Sequence, residues 1–321
     1  MNDGTFAMPG PQQPIAVLLM AMGGPDCLEN VEPYLKEVRG GRSTAPELVE
    51  EIRERYRLTG GHSPVLAVTR QVAEGLEIRL NRLGGSPYRV YVGLRHWHPF
   101  IKDTFAELLS ERPEQVIAIC MAPQYSSLSI DAYIQRVEEA RASLGGECPV
   151  SYVKSWHRHP GLVAAIAENV KSGLRNFPIE RRSTVPILFT AHSLPERILE
   201  MKDPYPDEVR GTMEAVCELV NQPVVRLAYQ SQGRTDEKWL GPSVEVVVDE
   251  LYAEGHRDLL VAPIGFLCDH VEVLFDLDIE LKHAAAAKGI RLERMPMLNA
   301  SPALVDTLVS VVQAHQAVAA A

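Results

Sequence analysis

Eight short apolar runs, spaced so that helices fit between them, constrain this chain more than any other feature. They are IAVLLM from Ile15, YRVYVGL from Tyr88, VIAICMAP from Val116, PVSYVKSW from Pro149, VPILFTAH from Val185, VVRLAYQS from Val224, DLLVAPIGF from Asp258 and IRLERMPM from Ile290. All are rich in Val and Ile and show little alternation, which reads as strands buried on both faces. Segments with helical spacing lie between them: PELVEEIRERYRL from Pro46, VTRQVAEGLEIRLNRL from Val68 and PSVEVVVDELYAEG from Pro242. The last has Pro at its start and Gly at its end, as helices prefer. Strand–helix alternation predicts a parallel, doubly wound α/β sheet. Four runs precede residue 160 and four follow it, and 321 residues at about 150 per domain give two domains. The expectation is two similar α/β domains, each a parallel four-stranded sheet flanked by helices, with a cleft between them. Residues 1–14 read as a disordered tail, 15–160 as the first domain and 161–321 as the second, with the last helix packing back on the first. SWHRHPG, from Ser155, reads as the crossover.

Charge excludes some functions. There are 32 Lys+Arg against 42 Asp+Glu, a net of −10, where a nucleic-acid protein needs a basic surface. The same balance limits any membrane contact to a transient, peripheral one. The run Ile15–Met22 is too short to span a bilayer. Five cysteines (Cys27, Cys120, Cys148, Cys217, Cys268) form no CxxC pair, which suits a reducing compartment without disulfides or a zinc knuckle. The first fourteen residues lack a basic n-region and an apolar core, so a cytoplasmic location is expected.

Polar and aromatic residues collect after the strands. Met22-Gly-Gly-Pro25, Arg95-His-Trp-His-Pro99, Gln124-Tyr-Ser-Ser127, His157-Arg-His159, His192-Ser-Leu-Pro195, Gln230-Ser-Gln-Gly233 and Cys268-Asp-His-Val-Glu272 all stand there, as does Asn299-Ala-Ser-Pro302. Ligands of open α/β sheets bind outside the carboxyl ends of strands, so these loops should face one cleft. Loops are polar in any protein, which accounts for Ser, Asn and Gly. It does not account for seven of the ten histidines at or near strand ends. Gly23-Gly24 is not followed by GxGxxG or GxxxxGK[ST], so nucleotide binding has little support. Ser193 stands in HSLP rather than a GxSxG elbow, which argues against a serine hydrolase.

The strongest local constellation follows the seventh run. Glu272, Asp276 and Glu280 are spaced by four, so one helix face carries a row of carboxylates. A solvated acidic face is one reading. The other is a relay of oxygen ligands for a divalent cation, with imidazole nearby suiting ferrous iron. Steps of four over-rotate an α-helix by about 40°, so a local π-bulge would straighten the row. His192 ends the fifth run at the ligand edge and can accept protons near neutral pH, although a buried structural histidine is the ordinary alternative.

Several stretches together resemble the ferrochelatase family: LFTAHSLPERILEMKDPYPDEV, AYQSQGRTDEKWLGPSVEVVVDEL, PIGFLCDHVEVLFDLDIE, LLMAMGGP, RYRLTGGHSP, YVGLRHWHPFIKDTF and APQYSSLS. The resemblance runs from Ile15 to the final helix with the motifs in order. It implies a lyase that inserts Fe2+ into a porphyrin, protoporphyrin IX or coproporphyrin III, releasing two protons in haem biosynthesis. It implies His192 as the active-site histidine, Glu272 as the carboxylate facing it, and metal contacts at His192, Glu272, Asp276 and Glu280. It also implies Met22, Arg39, Tyr56, Ser63, Tyr125 and Tyr133 around the porphyrin and its propionates. Other enzymes of haem synthesis become conceivable partners.

Departures sharpen the expectation. Gram-positive relatives that use coproporphyrin carry Tyr where this chain has Met22. The charged stretch PELVEEIRERY replaces the apolar membrane lip of mitochondrial relatives. No cysteine follows Cys268, so the [2Fe–2S] cluster of some relatives is not expected, and no cofactor beyond substrate Fe2+ is required. Two alternatives stay open: a cobalt or sirohydrochlorin chelatase of the same fold, and a non-catalytic tetrapyrrole carrier.

Overall fold

The computed structural model describes residues 13–145, 147–233 and 235–319, and each of the eight apolar runs contains a strand. These are β1 (Ile15–Ala21), β2 (Tyr88–Leu94), β3 (Gln115–Cys120), β4 (Val150–Val153), β5 (Ile187–His192), β6 (Val225–Gln230), β7 (Asp258–Pro263) and β8 (Arg291–Arg294). They form two four-stranded sheets of orders β2-β1-β3-β4 and β6-β5-β7-β8. Every pairing is parallel. The first strand of each half therefore lies second in its sheet. Winding reverses between β1 and β3 and again between β5 and β7, which opens a crevice at their carboxyl ends.

Burial on both faces holds for the central strands and fails at the edges. All seven residues of β1 are buried, and β3, β5 and β7 have five buried residues each. Edge strands β2, β4, β6 and β8 are partly exposed. They lack a neighbour on one side, which their Val content does not reveal.

The helices follow their local signals. Pro46 opens the helix Pro46–Leu58 at its first turn, where a missing N–H costs nothing. Ser243 caps the helix Val244–Ala253 by accepting from the Val246 N–H, and Gly255 ends it at φ +96°. The terminal helix Pro302–Ala319 lies against the helix Val65–Arg82. A Cβ on Gly75 would sit 3.3 Å from Val305, and Arg79 donates to the Pro302 carbonyl at 2.9 Å. The first twelve residues of the expected tail lie outside the described residues. The carbonyl of Pro14 already accepts from the Glu114 N–H at 2.9 Å.

The two halves are stitched behind the crevice by polar side chains. Buried Asp203 accepts from Ser126 Oγ at 3.0 Å and from Ser127 N and Oγ at 2.7 and 2.6 Å. Gln124 Nε2 donates to Thr212 and to the Ile264 carbonyl, both at 3.1 Å. Much of the polarity of QYSS and DPYPDE thus holds the halves together.

Candidate active site

The carboxyl ends of the central strands enclose a cleft of about 320 Å³. One wall carries Met22, Tyr34, Tyr56, Ser63 and Tyr133; the other carries His192, Phe266, His270 and Glu272. Most of the lining is apolar or aromatic, the surface that a flat organic ligand requires.

His192 is the last residue of β5, and its place is fixed from several sides. The buried Tyr205 hydroxyl donates to its carbonyl at 2.8 Å, and Ser193 Oγ donates to the Leu240 carbonyl at 2.8 Å. A Cβ on Gly265 would lie 2.8 Å from Ala191 Cα, so only glycine lets the loop after β7 approach β5 here. Gly265→Ala should destabilise the protein by roughly 1–3 kcal/mol through this overlap. Thermal unfolding checks it, and an unchanged melting temperature would contradict the packing argument.

The imidazole Nδ1 faces the Ser193 carbonyl, which can only accept, so Nδ1 carries the hydrogen. In the neutral ring the Nε2 lone pair is then bare, and it faces Glu272 Oε2 at 3.5 Å. His270 repeats the pattern. Its Nδ1 donates to the Cys268 carbonyl at 3.1 Å, and its Nε2 lies 3.8 Å from the same Glu272 oxygen. Bare acceptors pointed at one carboxylate oppose each other until a proton or a cation lies between them.

Charge is graded along the helix that follows. Burial works against an ionised Glu272; once His192 and His270 are protonated, their charges, with Arg55 beyond, hold it down at about 2. Gln230 fixes its backbone, donating to the Glu272 carbonyl at 2.8 Å while accepting from Thr190 at 2.7 Å. Asp276 goes the other way: burial, aided by the Glu272 charge, pushes it up to about 6. It is not free. Arg55 of the helix Pro46–Leu58 pairs with it at 3.1 Å across the cleft, and Ser231 donates to it at 2.6 Å. Glu280 is exposed. A π-helical turn, Asp276–Leu281, follows the short helix Val271–Leu274, with the Glu280 N–H bonded to the Phe275 carbonyl at 2.9 Å. This is the local widening that the spacing of four called for.

The predicted residues divide. Met22, Tyr56, Ser63, Tyr133, His192 and Glu272 line the cleft. Asp276 and Glu280 lie further along the helix, outside that lining. Arg39 and Tyr125 do not reach it. Arg39 is exposed past the end of the helix Val31–Val38, and the Tyr125 hydroxyl donates to Asp131 at 2.7 Å. Both motifs sit near the cleft in sequence order, but neither residue is part of its lining. His157 and His159 also lie elsewhere, because β4 is an edge strand remote from the switch point. His157 joins Ser155 and Glu208, and His159 contacts Ser310. Tyr34 gave no signal in the sequence, while Arg95 was among the strand-end residues expected at the cleft but was given no role. Arg95 lines the cleft with its guanidinium 5.5 Å from the Tyr133 ring centroid, and an arginine at a strand end was the available signal. Buried Cys120 and half-buried Cys268 also line the cleft as thiols that desolvation pushes up to about 12.

Two solved chelatases share this architecture. SirB from Bacillus subtilis with Fe3+ superposes at TM-score 0.60 with 11% identity, covering 94% of each chain. The sirohydrochlorin chelatase SirB from Bacillus subtilis subspecies spizizenii, in complex with cobalt, gives 0.56, covering 92% and 93%. Those likenesses show the fold alone. A family model described as Ferrochelatase matches residues 14–316. The Ferrochelatase of Herpetosiphon aurantiacus is 42% identical, covering 92% of this chain and 97% of that protein. The Ferrochelatase of Deinococcus radiodurans is 39% identical, covering 94% and 96%. The Coproporphyrin III ferrochelatase of Anoxybacillus flavithermus is 36% identical, also covering 94% and 96%. The chain belongs to the ferrochelatase family, lyases of haem synthesis.

Proposed function

We propose that the chain inserts Fe2+ into a porphyrin at the His192–Glu272 pair. The observation that carries this is the bare Nε2 facing a carboxylate at 3.5 Å inside an apolar cleft. A metal about 2.1 Å from each atom would subtend an angle of about 110°, a relaxed coordination geometry. Insertion forms four Fe–N bonds and releases two pyrrole protons. Glu272, facing Nε2 of both His192 and His270, serves as standing negative charge for the arriving cation. His192 Nε2, released as iron moves onto the porphyrin nitrogens, accepts one pyrrole proton at the porphyrin face, and water at the cleft mouth takes the other. The aromatic walls grip the macrocycle, and binding along its rim bends it so that the nitrogen lone pairs become accessible.

Steady-state turnover tests this, with Fe2+ against protoporphyrin IX and coproporphyrin III, and Co2+ against sirohydrochlorin as control. Iron insertion into either porphyrin, with little cobalt insertion, is expected. Tight porphyrin binding without turnover would instead favour a carrier. The relative rates of the two porphyrins would assign the natural substrate.

The same reading has no cofactor beyond substrate iron. Five cysteines with none after Cys268 motivate the expectation that purified protein carries no iron–sulfur absorption. A brown protein with stoichiometric iron and acid-labile sulfide would contradict it. Unpaired cysteines also suit the cytoplasm, and no helix among the described residues is long and apolar enough to cross a membrane.

A further inference from the structure

We propose that Arg294 is a positioning residue that holds Glu272 opposite His192 by tying together the two ends of the segment that bears it. The proposal rests on the reading of Glu272 as the carboxylate at the insertion point.

That segment is intrinsically weak. It leaves the loop after β7 at Asp269, forms only the four-residue helix Val271–Leu274 and enters the π-helical turn. A helix of four residues has no stability of its own, and π turns are rare. Outside contacts must therefore fix the geometry. Arg294 is the last residue of β8, held by the sheet opposite Val261, and its side chain is 13% exposed. Its Nε and Nη2 donate to both oxygens of Asp278 at 2.7 and 2.8 Å. Nη2 also lies 3.1 Å from Asp269 Oδ1, and Nη1 donates to the Met295 carbonyl at 3.1 Å. Asp269 stands before Glu272 and Asp278 after it, so one guanidinium spans the stretch. Asn299 steadies the near end in a reciprocal pair: its Oδ1 accepts from the Asp269 N–H at 2.9 Å and its Nδ2 donates to Asp269 Oδ2 at 2.7 Å.

Chemistry favours position over stability as the purpose. A part-buried ion pair adds little net stability but does select one arrangement. The planar fork of Arg can serve two carboxylates and a carbonyl at fixed angles, which the point charge of Lys cannot. None of Arg294, Asp269 and Asp278 is part of the cleft lining, so their effect on turnover is indirect, through the segment that carries His270 and Glu272 and through Asn299, and the Glu272→Gln background isolates the part due to Glu272.

The test combines Arg294→Lys with the near-isosteric Asp278→Asn, which leaves Arg294 on Asp269 and guards against loss of folding. Both are made in wild-type and Glu272→Gln backgrounds. With Glu272 intact, kcat for iron insertion should fall about 10- to 100-fold, the cost of misplacing a reacting group by about 1 Å. KM for porphyrin should move less than about twofold, since the binding walls are untouched. With Glu272→Gln already present, neither variant should cause further loss. Crystal structures of the variants should show the His192–Glu272 separation longer than 3.5 Å or the π turn rewound to α. An unchanged π turn and separation, or losses that multiply with Glu272→Gln, would overturn the proposal. The crystallographic readout does not depend on turnover. Full activity in Glu272→Gln alone would overturn the underlying reading, and would be seen separately.

Discussion

His192→Ala should lower iron insertion by about 10²- to 10⁴-fold, the range for losing a positioned proton acceptor. The loss should fall on kcat, with porphyrin affinity close to wild type, because the aromatic wall of Tyr34, Tyr56 and Tyr133 is untouched. The fold should survive. Tyr205 and Ser193 hold this stretch through the backbone carbonyls of His192 and Leu240, and both bonds remain in the variant. Single-turnover absorbance of the metalloporphyrin, beside thermal unfolding, checks both halves of the expectation. Near-normal turnover in a folded variant would remove His192 from the chemistry.

The second large effect separates the members of the carboxylate row. Glu272→Gln should depress turnover itself, because it removes the negative charge that faces His192 Nε2. The pair Asp276→Asn with Glu280→Gln should instead raise the Fe2+ concentration needed for half-maximal rate, with porphyrin affinity little changed. Asp276 adds a pH signature. Its carboxyl titrates near 6, so it is anionic above that pH and neutral below. In the wild type, apparent Fe2+ affinity should weaken as pH falls through about 6, and Asp276→Asn should flatten that step. The bland alternative is a solvated acidic face, for which the double variant keeps its iron dependence and gains slight stability from relieved repulsion. Iron titration at saturating porphyrin decides between them.

The strands were legible because parallel sheets bury their central strands on both faces and so select uninterrupted Val and Ile. Which of them lie at an edge was not read, although β2, with Tyr88, Arg89 and Tyr91, is more polar than the wholly apolar β1. His192 stood at a strand end and Glu272 headed the carboxylate row, but it was the family resemblance that paired them. The side chains around the cleft were harder. Tyr125 and Tyr133 look equivalent in sequence, yet the hydroxyl of one is spent on Asp131 while the other is buried in the wall. The spacing of four raised the widened turn at Asp276 but could not show Arg55 pairing with it from a helix 221 residues away. Arg294 carried no local signal, because its partners lie on a different element.

Anomalous diffraction at the cobalt edge, from crystals of the protein soaked in Co2+ as a redox-stable stand-in for Fe2+, tests the central claim most directly. The account predicts the principal peak between His192 Nε2 and Glu272 Oε2, about 2.1 Å from each. A peak held only by Asp276 and Glu280, with none between the imidazole and Glu272, would contradict it.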